Sequence, residues 1–246
     1  MKGVILAGGL GTRLYPLTKI TNKHLLPVFD KPMIYYPLAT LIDAGIKDVL
    51  IVTGGNHAGE FLRLLGNGKE LNLKEIHYTY QSREKGIADA LRLAEDFADG
   101  EKMIVVLGDN LFGESIKPYV AKFSKQREGA KILLKKINNP QRFGVADFKN
   151  GKVLSIEEKP KKPKSNYAVT GLYMYDSKIF DYIRELKISN RGEYEITDIN
   201  NMYLKEGKLT CDILKGYWTD CGTCEALFRA NVLIAKNQGV NFEDLL

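Results

Sequence analysis

The stretch GVILAGGLGTRL, residues 3–14, sets Val4 to Ala7 as an unbroken apolar run ahead of three glycines and an arginine. An apolar run without polar alternation is the pattern of a strand buried on both faces. Gly8, Gly9 and Gly11 follow at once, and Arg13 is the first charge beyond them. A tight turn uses such glycines. So does a loop whose backbone N–H groups must approach an anion, because glycine has no Cβ to hold the ligand away. A Walker loop would need Gly-Lys-Ser/Thr where Gly11-Thr12-Arg13 stands, and a dinucleotide fingerprint would need glycine in place of Leu14. What remains is a strand, a glycine turn and a cation, a design that suits a triphosphate.

Working outward, β-branched runs at 48–53, 75–80 and 102–109 alternate with segments at 33–44, 57–65 and 86–98 whose apolar residues recur at helical spacing. Strand-helix alternation predicts parallel strands joined by crossover helices, with functional loops at the strands' carboxyl ends. The second half is less regular. Strands are expected at 130–136, 143–148, 151–159 and 167–176, and helices at 177–187, 194–204 and 222–236. The fold class is therefore α/β: one Rossmann-like domain over 1–246, with a mixed, mostly parallel sheet flanked by helices. Residues 1–110 are expected to serve mainly a nucleotide and 111–246 mainly a second substrate.

The chain has 246 residues, 44% hydrophobic and 27% charged, with a net charge of +6. That composition allows one large soluble domain. The basic excess lies largely in KILLKK (131–136) and EKPKKPKSN (158–166), without an interleaved aromatic platform, so an anionic small molecule explains it better than nucleic acid. No apolar run approaches the ~20 residues that span a bilayer, so no membrane partner is expected. Cys211, Cys221 and Cys224 are the only cysteines, an odd set that suits a reducing, cytoplasmic setting. Cys221 and Cys224 have no second pair or nearby histidine to complete a zinc site and read as packing thiols.

Charged residues at strand ends carry the chemistry. Asp109 in LGDN and Asp220 in YWTDCGT each stand before a predicted element, where a helix cap is the plain reading. Together they would supply the one or two carboxylates that Mg²⁺ on a phosphate requires. Lys23 and Lys159 lie near Pro27 and Pro160, turns that would hold a cation in place. No serine-histidine-acid grouping points to a covalent nucleophile.

The segments LAGGLGTRLYPLT (6–18), NKHLLPVFDKPMIYYPLATLIDAGI (22–46), LGDN (107–110), RFGVADF (142–148), EEKPKKPKSNYAVTGLYMYD (157–176), RGEYEITDIN (191–200) and WTDCGT (218–223) occur in order along the chain. In these it resembles the sugar-1-phosphate nucleotidylyltransferases, and among them the branch that joins glucose 1-phosphate to dTTP. The resemblance implies transfer of a thymidylyl group with release of pyrophosphate and use of Mg²⁺. It further implies that Leu6, Gly8, Gly9, Gly11, Thr12 and Arg13 hold the triphosphate, with Lys23 helping Arg13 at the leaving pyrophosphate. Gln81 and Gly86 would read the base. Asp109 would serve metal and deoxyribose, and Asp220 the metal. Gly144, Glu158, Lys159, Val169, Tyr173 and Arg191 would contact the sugar phosphate, Lys159 on its phosphate and Glu158 on sugar hydroxyls.

Two departures stand out. His24 occupies a position where many relatives carry glutamine; it either donates to phosphate in a pH-dependent way or merely packs. The sequence given ends at Leu246, before a further helical segment of longer relatives. The expectation is a homo-oligomer, dimeric or tetrameric, with hyperbolic kinetics and only competitive inhibition by thymidine-diphosphate sugars.

Overall fold

The structure is a computed structural model and describes residues 1–241. The first half runs β1 (Lys2–Ala7), β2 (Pro27–Val28), β3 (Lys31–Pro32), α1 (Tyr35–Asp43), β4 (Asp48–Gly54), α2 (Ala58–Leu65), β5 (Glu75–Gln81), α3 (Ile87–Arg92), α4 (Glu95–Ala98), β6 (Met103–Leu107) and β7 (Asn110–Phe112). The second half runs α5 (Lys117–Lys125), β8 (Ala130–Lys136), β9 (Gly144–Lys149), β10 (Lys152–Glu158), β11 (Tyr167–Tyr175), α6 (Ile179–Glu185), α7 (Ile196–Lys205), β12 (Leu209–Ile213), β13 (Trp218–Asp220) and α8 (Cys224–Asn237). The strand-helix alternation expected of the first half is present. The helix expected over 86–98 is two short helices, and α5 was not anticipated.

One nine-stranded sheet spans both halves, in the order β10-β9-β11-β6-β1-β4-β5, with β8 beside β11 and β12 beside β8. β1 pairs parallel with both β4 and β6, and β4 pairs parallel with β5. At β11 the sheet turns antiparallel, which is the mixed character expected of the second half. β1 is buried on both sides: Val4 and Leu6 join a core with α3, α6 and α7, while Ile5 and Ala7 join one with α1, α2 and α5. Its apolar run therefore has a core on each face to fill. Among the described residues no helix is long and apolar enough to cross a membrane.

A third, smaller core positions the chemistry. Leu14 beyond the glycine turn, Leu111 of β7, Cys221, and Leu227, Ala230 and Ile234 of α8 bury one another. Full burial of a leucine such as Leu14 contributes about 1.5–3 kcal/mol, so Arg13, Asp109 and Asp220 are each tethered beside a firmly packed neighbour. Cys221 is the packing thiol expected from the sequence. Cys224 is exposed at the first position of α8 and does not join that core.

Candidate active site

The glycine turn lies at the carboxyl end of β1, where parallel sheets place their ligand crevice. Gly11 has φ +67°, in the left-handed region, and a Cβ there would come within 2.9 Å of Lys23 Cβ. At Gly8 a Cβ would lie 2.8 Å from Gln81 Oε1, so only glycine leaves room for the Gln81 amide. The Leu10 N–H donates to the Glu84 carboxylate, so the loop already holds an anionic group in the free protein. The prediction of an anion cradle rests on the same property of the backbone.

Asp109 and Asp220 are brought together by pairing too short to read from sequence. β7 and β13 form a two-stranded antiparallel ribbon with Asn110 opposite Asp220, and Cys221 N donates to Asp109 O at 2.9 Å. Neither aspartate caps a helix, because the α8 cap is Thr223, whose side chain accepts from Ala226 N. Asn110 braces the ribbon. Its Nδ2 donates to Asp109 Oδ1 at 2.8 Å, and its Oδ1 accepts from Gly171 N and Trp218 Nε1.

The pKa values of the two carboxylates are shifted in opposite directions. Burial alone would raise the Asp109 pKa, but the Lys23 ammonium, 2.6 Å from Asp109 Oδ2, outweighs it and holds the carboxyl well below the usual range. Burial and the facing Asp109 charge push Asp220 upward, against a weaker pull from Arg142 at 3.6 Å. Among the described residues no group of three or more His, Cys, Asp or Glu side chains converges as a metal cage. Two neighbouring carboxylates, whose repulsion Lys23 and Arg142 offset only in part, nonetheless fit a hard cation that takes its other ligands from phosphate and water.

Two adjoining cavities meet at Arg13, Asp109 and Lys159. The larger, about 540 Å³, is lined by Leu6, Gly8, Gly9, Gly11, Thr12, Arg13, Lys23, Gln81, Gly86, Asp109 and Lys159, every residue expected at the nucleotide. The smaller, about 190 Å³, contains Gly144, Glu158, Lys159, Val169, Tyr173 and Asp220. Among the described residues neither the Arg13 guanidinium nor the Lys159 ammonium makes a direct side-chain hydrogen bond or salt bridge; both face these cavities, and the Arg13 charge acts on Asp220. Lys159 stands at φ +44°, anchored by its N–H to Phe143 O at 3.0 Å. Such a backbone costs on the order of 1 kcal/mol and persists where its surroundings fix it.

Arg191 departs from the expected arrangement. It lies behind the cavity wall, paired with Glu158 at 3.4 Å, Glu195 at 3.1 Å and Glu193 at 3.0 Å. Its charge orients those carboxylates, and Thr197 Oγ1 donates to Glu158 Oε2 at 2.6 Å from the other side. Sequence reading missed Arg142, Asn110 and the Phe143–Trp218 ring pair, whose centroids are 4.8 Å apart. Phe143 and Trp218 sit in the quoted motifs RFGVADF and WTDCGT, which was the available signal.

His24 packs. Its ring is 1% exposed, and its Nδ1 lies 2.7 Å from Asn22 Oδ1, an acceptor that fixes the proton on Nδ1. Burial first, then the neighbouring Lys23 charge, pushes its pKa down to about 3. His24 still borders the nucleotide cavity, but burial and the Lys23 charge favour its neutral ring, which argues for packing over the pH-dependent phosphate donor considered from the sequence.

Residues 2–237 match the family model described as nucleotidyl transferase. The chain is 46% identical over 244 residues to the glucose-1-phosphate thymidylyltransferase of Neisseria meningitidis, covering 98% of this chain and 84% of that protein. It is 48% identical over 233 residues to that of Xanthomonas campestris, covering 93% and 79%. Among solved structures it is similar to a candidate glucose-1-phosphate thymidylyltransferase of Bacillus anthracis in complex with sucrose, with TM-score 0.92, 54% identity and coverage of 98% and 96%. It is also similar to a UDP-glucose pyrophosphorylase complexed with UDP-glucose, with TM-score 0.84, 26% identity and coverage of 96% and 98%. With the phosphate loop, the paired carboxylates and the two cavities in one crevice, the chain belongs to the nucleotidyl transferase family, in the group of the glucose-1-phosphate thymidylyltransferases.

Proposed function

We propose that this protein transfers the thymidylyl group of dTTP to α-D-glucose 1-phosphate, giving dTDP-glucose and pyrophosphate, with Mg²⁺ held by Asp109 and Asp220. The observation that carries this reading is the shared wall of the two cavities, where Arg13, Lys159 and Asp109 converge. A triphosphate in the larger cavity and a sugar phosphate in the smaller would meet there.

The chemistry follows from charge. A sugar phosphate is already an ionised nucleophile near neutral pH, so no side chain has to remove a proton. One of its oxygens forms a bond to the α-phosphorus while the bond to the β-phosphate oxygen breaks, and pyrophosphate leaves with that electron pair. Catalysis reduces to alignment and charge neutralisation. Lys159, whose ammonium makes no direct salt bridge among the described residues, aims the attacking phosphate. Arg13 and the loop N–H groups take up charge on the departing side. Lys23 commits one of its three N–H donors to Asp109 and keeps the others for a phosphate oxygen. Magnesium, when bound, supplies Lewis-acid neutralisation of phosphate charge. Glu158, oriented by Thr197 and Arg191, is placed to accept from sugar hydroxyls.

In this reading residues 1–110 supply most of the nucleotide site and the later chain most of the sugar-phosphate site. A cytoplasmic setting and a homo-oligomer, dimer or tetramer, belong to the same proposal. Uracil differs from thymine by one methyl, worth about 1–3 kcal/mol in an apolar pocket, so discrimination at the base alone is expected to let UTP leak through. The test is pyrophosphate release over a panel of nucleoside triphosphates and sugar 1-phosphates, with and without Mg²⁺. Highest kcat/KM for dTTP with glucose 1-phosphate, abolished by chelator, is the expected result. Preference for another pair, or metal-independent turnover, would overturn it.

A further inference from the structure

The amide of Gln81 is 8% exposed and can face the nucleotide cavity with either its oxygen or its nitrogen. A neighbour outside the cavity wall decides which. Asp89, in the first turn of α3, accepts from Gln81 Nε2 at 2.9 Å through a side chain that is 12% exposed. An ionised carboxylate can only accept. The nitrogen of Gln81 must therefore turn toward Asp89, and Oε1 must turn away, to the side where a Cβ on Gly8 would meet it at 2.8 Å.

We propose that Asp89 is a positioning residue that sets nucleobase choice: by locking the Gln81 amide with its oxygen toward the nucleotide, it selects a pyrimidine whose N3 carries a proton. This rests on the reading of Gln81 as the base contact. Thymine and uracil present N3–H as a donor to Oε1. Cytosine presents an N3 lone pair, which Oε1 repels. With an amide at position 89 the constraint disappears, since an asparagine offers either a donor or an acceptor and Gln81 can rotate to present N–H to cytosine. Asp89 also pairs at its other oxygen with exposed Arg92, at 3.4 Å, a contact on the outer side of α3.

The experiment compares kcat/KM for dTTP and dCTP with glucose 1-phosphate in the wild type, Asp89→Asn, Arg92→Ala and Gln81→Leu. Asp89→Asn is expected to raise the dCTP-to-dTTP ratio by roughly tenfold, through KM and with kcat for dTTP little changed, as for one mismatched buried hydrogen bond. Arg92→Ala, which loosens α3 without altering the acceptor, is expected to leave the ratio at the wild-type value. An equal shift in Arg92→Ala would show a general effect of helix stability and overturn the proposal. If Gln81→Leu changes the ratio and Asp89→Asn does not, the positioning role fails while the base contact stands. If Gln81→Leu leaves the ratio unchanged, the base contact itself fails, and the role of Asp89 with it.

Discussion

Asp109→Asn and Asp220→Asn remove the same charge from two facing residues, yet they are expected to move stability in opposite directions. Asp109 is paired with Lys23 at 2.6 Å, and the two side chains are 12% and 14% exposed. Breaking a buried pair from one side costs about 3–5 kcal/mol, because the remaining charge is stranded. Asparagine keeps an acceptor for the ammonium and Lys23 keeps some contact with water, so about half of that, ~2 kcal/mol, is expected here. In a domain of this size each kcal/mol shifts Tm by about 2–4 °C, giving a drop of ~4–8 °C. At Asp220 burial and the Asp109 charge oppose ionisation, so the neutral amide relieves a cost and Tm is expected to hold or rise. The assay is thermal unfolding of both variants in excess chelator near neutral pH. Lowering pH sharpens it. The Asp109 contribution is present above its unfolded pKa of about 3.9 and is lost only as pH falls through the still lower folded value, so the Asp109→Asn deficit should persist to about pH 5. An Asp109→Asn protein that melts with the wild type, or an Asp220→Asn protein that melts well below it, would refute this account of the pair. Both variants are expected to lose turnover by on the order of 10²–10³.

Lys159→Ala should raise KM for glucose 1-phosphate and lower kcat by on the order of 10², with dTTP affinity measured by equilibrium binding almost unchanged. His24→Gln should leave the pH profile of kcat/KM superimposable on the wild type, because a ring titrating near 3 is neutral throughout the working range. A flattened profile in that variant would restore the imidazolium reading. Glu84→Gln removes a carboxylate that occupies the glycine loop in the free protein, and KM for dTTP should fall about threefold, the scale of one partly exposed charge contact.

Much of this was legible in the sequence because burial writes itself into composition. β1 and β4 are covered on both faces, and their apolar runs gave away strand, sheet and the place of the glycine turn. The three-residue strands β7 and β13 were illegible, since three residues contain no period to detect. Their pairing is nevertheless what sets Asp109 against Asp220. α5 was missed because its buried residues, Tyr119, Val120 and Phe123, form a narrow stripe among lysines. The Lys23–Asp109 pair spans 86 residues, and sequence proximity carries no trace of it. Arg191 shows the converse: its motif was plain, but the three glutamates that surround it are a property of the folded loop. His24 could not be assigned by residue type, because imidazole chemistry depends on burial, which only packing determines.

The ribbon of β7 and β13 also imposes an order of events on the living chain. The side-chain bond across it from Trp218 Nε1 to Asn110 Oδ1 joins residues 108 positions apart. At a synthesis rate of about 5–20 residues per second, the second strand leaves the ribosome roughly 5–20 s after the first. During that interval the nascent polypeptide has the first aspartate but neither the second one nor the α8 residues that bury Leu14. Reactive competence therefore waits until the second strand of the ribbon, and the α8 residues that pack on Leu14, have been made.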